Sequence, residues 1–401
     1  MKRGRFLRGA GALAGLPLSA RLGGRALSAN PPGTAALPYY DAVAPIVPIR
    51  AEVDRIFRVT VCVRPFRAAG PRSDVERVGE KVVVHNYGHG GSGWSLSWGA
   101  ADGALRSVAA AGETGGELAV LGCGALGLTA ALTAQRAGLR VKIYAKERFP
   151  FVRSARATGT WSPDSRIALE SAVAPGFASE WERMARASFD MHQSYLGSPG
   201  TPVEWTDRYT LSDLTRDQLG ARMEAMDHRG FVHYGSRLAD ITPRYEDLRL
   251  ADGSKPFPLE LARRTTSLTF NIADYARQLT NDFLVAGGAI ETREFARPAD
   301  LAALPERVIV NCTGYGARAL WRDESIVPIR GQIAWLLPQE GVTYGLFYDD
   351  TIVLARRDGI AVQPNLQGDD TGWNDSNENA DRAAAEAGVL DIGRLFDRMR
   401  A

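Results

Sequence analysis

The 401-residue chain contains no run of eighteen or more uncharged apolar residues, so no segment is a candidate for a membrane-spanning helix. Cysteine is scarce. Cys62, Cys123 and Cys312 each lie in an apolar strand or a glycine turn, where they read as small buried hydrophobes rather than a disulfide framework. The 48 basic and 46 acidic residues are interspersed, and no basic face or arginine-rich run stands out, which argues against nucleic acid as a partner. Only five histidines occur. His85 and His89 have a spacing that brings two rings to one metal on a helix, but Gly88, Gly90, Gly91 and Gly93 oppose a stable helix there, so no metal is expected. Glycine, by contrast, is abundant, and it gathers in two turns: "HNYGHGGSG" from His85 and "GCGALG" from Gly122.

The first thirty residues have a basic start and a weakly apolar Gly/Ala/Leu stretch, with small residues at Ala26–Ala29 that suit cleavage. They resemble a twin-arginine export signal carrying Phe6-Leu7, although Gly4 separates Arg3 from Arg5. An exported or periplasmic protein is therefore expected, with a basic tail on a cytoplasmic protein as the alternative. Residues 31–50 read as a Pro/Ala-rich linker. A strand is expected over Arg55–Phe66, ending at Pro65, and a short buried strand over Val82–Val84. A helix over Ser95–Ala111 would use Ser95 near its N-cap. Then come a strand at Leu118–Leu121, a helix at Ala125–Ala137 and a strand at Leu139–Ala145, one βαβ unit. Residues 161–260 give mixed signals. Farther on are a helix, Gly-Gly stop and strand in Asn271–Phe295, a buried strand in Glu306–Gly314, a hairpin at Thr351–Gln363 and a C-terminal helix.

Gly122, Gly124 and Gly127 form G-x-G-x-x-G between strand and helix. In a dinucleotide site the first glycine makes the tight turn, the second admits a pyrophosphate to the backbone, and the third lets helix and strand pack closely. Ala125 and Leu126 begin the helix, whose free N–H groups and partial positive charge suit phosphate. Glu147 lies 25 residues beyond Gly122 and can bind ribose hydroxyls.

"VRPFR", "HNYGHGGSG", "TGTWSP" (Thr158–Pro163), "VNCTG" and "RGQI" (Arg330–Ile333), taken with the glycine cradle, resemble the D-amino-acid oxidase family of flavoenzymes from about Arg58 to Gly372. The resemblance implies an α/β fold: an FAD-binding Rossmann-type domain and a substrate domain with a mixed β-sheet. It implies that Arg64 clamps the substrate carboxylate through paired hydrogen bonds, and that the Gly91 carbonyl receives the amine. Tyr348 falls where the family has its first active-site tyrosine; the second falls near Ile352 and is missing. FAD contacts are implied at Gly90, Gly91, Ser92, Gly93, Trp94 and Ser95, at Ser154, Thr158, Gly159 and Thr160, and at Thr313 and Gly314. Gly90 and Gly91 would lie against the flavin ring. The family's acid falls at Lys146, with Glu147 one place late; its threonine cluster is reduced to Ser154; and its Gly-Gly-Thr is replaced by "QPN" at Gln363–Asn365. No His or Cys is placed for covalent attachment, so the FAD is expected to be non-covalent.

The motif order is inverted. In the family, the RP strand and HNYGHGG close the chain, whereas here they precede G-x-G-x-x-G. The sequence reads as a circular permutant in which "GETGG" (112–116) joins the old last helix to the old first strand, so both glycine turns serve one FAD. This puts the FAD-binding domain at 66–165 and 261–322 and the substrate domain at 51–65, 166–260 and 323–401. The expected reaction is oxidation of D-amino acids with oxygen as oxidant. The alternatives are a flavin enzyme acting on glycine-like or specialised amines, and a flavin-binding protein without turnover.

Overall fold

A computed structural model describes residues 46–112, 116–226, 228–248, 257–365 and 367–400. The export-like segment, most of the linker and the middle of "GETGG" lie outside the described residues. Two sheets organise the rest. The six-stranded sheet uses β2 (Val75–Val78), β3 (Lys81–His85), β4 (Glu117–Leu121), β5 (Arg140–Ala145), β9 (Ala289–Thr292) and β10 (Val308–Asn311). The eight-stranded sheet uses β1 (Ile56–Arg67), β6 (Val203–Ser212), β7 (Glu246–Asp247), β8 (Leu261–Phe270), β11 (Ile326–Leu336), β12 (Gly345–Tyr348), β13 (Thr351–Arg356) and β14 (Gly359–Pro364). The helices are α1 (Ser97–Ala110), α2 (Ala125–Arg136), α3 (Phe177–Gln193), α4 (Arg216–Met226), α5 (Ile272–Val285), α6 (Ala317–Leu320) and α7 (Arg382–Arg400).

The six-stranded sheet runs β2-β3-β10-β4-β5-β9, parallel except for the edge strand β2. Its central strands are continuous apolar runs because both faces are covered. Val83, Val84, Ala119, Val120, Leu121, Ile309 and Val310 have no exposure. Helices α1, α2, α3 and α5 supply the small and aromatic residues that pack one face. Thus β3, upstream of the glycine cradle, pairs with β10 more than two hundred residues later, and α1 packs beside α2.

The other sheet runs β1-β11-β14-β13-β12-β6-β8-β7, antiparallel except where β12 meets β6. β1 therefore shares a sheet with the β13–β14 hairpin, reaching it through β11. β1 does not end at Pro65. It continues to Arg67 because it is an edge strand, and Pro65 stands opposite Pro328, so neither missing N–H breaks the ladder. Helix α7 covers one face with Val389, Ile392, Leu395 and Phe396.

Ser95 does not cap α1. The helix begins at Ser97 after Leu96, and the Ser95 hydroxyl accepts the Ser162 N–H instead. Residues 161–260, where sequence signals were mixed, form α3, β6, α4 and β7. Strand β6 has its pattern blurred by Arg208, a half-buried charged residue whose guanidinium donates to the Thr269 hydroxyl at 2.8 Å.

Candidate active site

The G-x-G-x-x-G turn has the geometry its spacing predicts. Gly122 sits at φ +98°, and a Cβ there would lie 2.6 Å from the Cys312 carbonyl oxygen. A Cβ on Gly127 would strike the Gly122 carbonyl at 2.0 Å, so this glycine serves helix–strand contact. A Cβ on Gly124 would meet the Ser154 hydroxyl at 2.9 Å, and that hydroxyl also accepts the Ala125 N–H. Gly122 and Gly124 line a cavity of about 540 Å³.

Gly122, Gly124, Ala125 and Leu126 line this cavity, as do Lys146, Glu147 and Ser154. Glu147 can serve as the acid, because the Lys146 ammonium is ion-paired with Glu294 at 2.7 Å. Thr313 and Gly314 border the cavity at the end of β10, where Asn311 fixes Thr313 by accepting its hydroxyl at 2.7 Å. His85 engages both ring nitrogens, with Glu76 and Asn311, and burial pushes its pKa down. His89 is buried and its pKa is lowered to about 3 by burial, so it is neutral. The motif reading missed Arg293–Ala296, which line the cavity after β9, and Arg153 and Arg156, which line it while pairing with Glu378. Arginines in the loops after β5 and β9 carry no local signal that distinguishes cavity wall from solvent.

The "HGGSG" turn enters the same cavity through Gly90, Gly91, Gly93 and Trp94. Gly90 and Gly91 answer first to protein packing. A Cβ at Gly90 would fall 1.8 Å from the Arg166 carbonyl oxygen, and one at Gly91 would fall 2.6 Å from the Ser165 hydroxyl. Gly93 has open space beside it. Ser92 and Ser95 do not reach the cavity. Ser92 donates to the Ser165 carbonyl, and Ser95 holds Ser162. Trp94 is anchored by its indole N–H to the Ser154 carbonyl at 2.9 Å.

A second cavity, about 620 Å³, adjoins the first. Arg64 and Gly91 line both and so mark the seam. Arg64 leans over Gly331, where a Cβ would come within 2.2 Å of its Nη2. Burial lowers its pKa, partly offset by Cys62 and Asp369. Among the described residues, its guanidinium makes no hydrogen bond or ion pair, and no donor reaches the Gly91 carbonyl. Arg166, also in the second cavity, is held by Asn365 and by the Gly368 and Asp369 carbonyls, and pairs with Asp369. Arg222 of α4 pairs with Asp350 across the cavity rim.

Four further expected contacts fall elsewhere. Tyr348 lines neither cavity; its hydroxyl donates to Asp213 at 3.2 Å on the face packed near α7. Side chains alternate along β12, so Phe347 faces the second cavity instead, beside Ile352 of β13. Gly159 lies against the Phe270 carbonyl, where a Cβ would approach to 2.4 Å. Thr158 donates to Gln363, and Thr160 lines the second cavity, not the first.

A family model described as FAD dependent oxidoreductase (DAO) matches residues 117–392. The chain belongs to this family: it is an FAD-dependent oxidoreductase of the DAO type. The D-amino-acid oxidase of Streptomyces coelicolor is 29% identical over 225 residues, covering 55% of this chain and 59% of that protein. The D-amino-acid oxidase of Rubrobacter xylanophilus is 29% identical over 214 residues, covering 53% and 57%. The chain thus spans under three fifths of the length of these curated relatives. Among solved structures, the L-amino acid deaminase from Proteus vulgaris aligns with a TM-score of 0.42 and 12% identity, covering 63% of this chain and 61% of that one. The first cavity fits FAD, since its glycines clear the space a pyrophosphate needs and Glu147 stands at the end of β5.

Proposed function

We propose that the protein oxidises D-amino acids to 2-oxo acids. Arg64 carries this reading: a guanidinium without a partner among the described residues, at a seam between the two cavities that Gly91 also lines. A planar guanidinium offers two parallel N–H groups to one carboxylate. The Gly91 carbonyl can accept a hydrogen bond from the substrate amine. Fixing both groups leaves the Cα hydrogen as the part directed at the first cavity, and positioning of this kind needs no strong base. Bound FAD supplies the acceptor for that hydrogen and its electron pair. The resulting imino acid takes up water and releases ammonia and the 2-oxo acid; with dioxygen as terminal acceptor, hydrogen peroxide forms.

Preference for D substrates is supported by the names of the curated relatives. The test is a panel of D- and L-amino acids, with flavin bleaching followed without oxygen and peroxide followed with it. Bleaching by D-amino acids and peroxide release are expected. Bleaching by L-amino acids alone would overturn the stereochemical reading, and bleaching only by amines without a carboxylate would overturn the role of Arg64.

We also infer that the chain is a circular permutant. The family match begins at Glu117, the first residue of β4, while β1 and β3 upstream pair with β11 and β10 downstream. Helix α7 runs beside the start of β1: Arg382 donates to the Val53 carbonyl at 3.3 Å, and Gly393 packs on the Ala51 carbonyl. A chain opened between Gly112 and Gly116, with Arg400 joined back to Ile46 by a short linker, should fold and bind FAD. An insoluble or flavin-free product would count against the inference.

A further inference from the structure

We propose that Gln363 is a specificity-determining residue that gives the substrate carboxylate a further hydrogen-bond donor beside Arg64. The proposal rests on reading the second cavity as the amino-acid site. Gln363 stands in β14 within "QPN" and is 4% exposed, yet it lines that cavity. Its Oε1 accepts the Thr158 hydroxyl. Among the described residues, no acceptor takes either hydrogen on Nε2, and that nitrogen is not enclosed by protein. The amide therefore opens into the cavity, where a ligand that carries an acceptor can take its hydrogens in place of water.

The sheet register says which part of the ligand. Ile352 is the cross-strand partner of Gln363, and Phe347 is the cross-strand partner of Ile352. All three line the cavity from one face of adjacent strands. Phe347 and Ile352 are apolar and cannot donate. The amide on the neighbouring strand can. Arg64 reaches the same cavity from β1 by leaning over Gly331 on β11, the strand between β1 and β14. A guanidinium fork occupies two of roughly four acceptor sites on a carboxylate, leaving room for a neutral donor from the side.

The test uses FAD-loaded enzyme and follows flavin absorbance during titration with acetate, propionate and benzoate, with benzamide as the uncharged counterpart of benzoate. Gln363→Met keeps the length of the side chain and removes the donor. It should weaken carboxylate binding about 10–100-fold, the usual range for a hydrogen bond to a charged group, and weaken benzamide, whose carbonyl is a neutral acceptor, by several-fold less. Gln363→Glu should weaken carboxylates further, with the loss relieved as the pH is lowered and the new carboxyl is protonated. Unchanged carboxylate affinity in both variants, or equal losses for benzoate and benzamide, would overturn the proposal. A native enzyme that binds none of the carboxylates would overturn the amino-acid reading itself.

Discussion

The two cavities are built on opposite principles. The first is a backbone site. Gly122, Gly124 and Gly127 matter because they lack side chains, and their neighbours in space are the carbonyls of Gly122 and Cys312 and the Ser154 hydroxyl. The second is a side-chain site, in which Arg64, Arg166, Phe347, Ile352 and Gln363 arrive from different elements. A backbone site is specified within one short stretch of chain; a side-chain site is assembled by strand register and by the alternation of residues across a sheet. The first should fail as a whole when touched, and the second should lose function residue by residue.

The largest effect is expected at Gly127. Gly127→Val puts a branched side chain against the Gly122 carbonyl, so flavin should be lost with most of the soluble protein; normal flavin content would break the backbone account. Arg64→Ala should come next. Loss of a buried charged partner costs about 2–5 kcal/mol, equivalent to two to four orders of magnitude in kcat/KM. FAD content should stay near normal, and Arg64→Lys should recover only part. Near-native turnover by flavin-replete Arg64→Ala would dissolve the distinction between the cavities.

Acid should act on the stability of the whole fold. His89 and His192 are buried with pKa values lowered to about 3, chiefly by burial. Below the ordinary value of about 6.5, the unfolded chain takes up protons that the folded state refuses. Each histidine therefore removes about 1.4 kcal/mol of stability per pH unit between roughly pH 6.5 and 3. Urea midpoints should fall as the pH drops through this range, and a flat profile would contradict the burial. Acid denaturation should also release the flavin into solution, because attachment is expected to be non-covalent; colour that stays with the pellet would contradict it. The smallest effect is expected from Tyr348→Phe. Its hydroxyl faces Asp213 near α7, away from both cavities, so kcat/KM should change less than about twofold, in line with loss of an exposed hydrogen bond. A large loss would return Tyr348 to the active site.

Several features were legible in the chain itself. The βαβ unit at Glu117–Ala145 and the cradle within it follow from local spacing, and Arg64 and Gly91 were marked by their motifs and meet at the seam. The misses share one cause. Tyr348 was assigned by position in a segment, but a one-residue step along β12 turns a side chain to the other face. Ser95 looked like a cap, yet a tertiary partner, Ser162, took its hydroxyl. Pro65 looked like a strand end, but an edge position and an opposing proline let β1 run on.

By itself, then, the sequence determined the glycine turns, the apolar strands and the identity of the charged residue at the seam, because each depends on backbone geometry or residue chemistry within a few positions. The tertiary structure alone decided that β3 lies beside β10 and β1 beside β11, that Gly90 and Gly91 pack on Ser165–Arg166, and that Gln363 lines the same cavity as Arg64. Those outcomes depend on pairing between residues far apart in the chain, where register and burial select the neighbour and no local pattern records the choice.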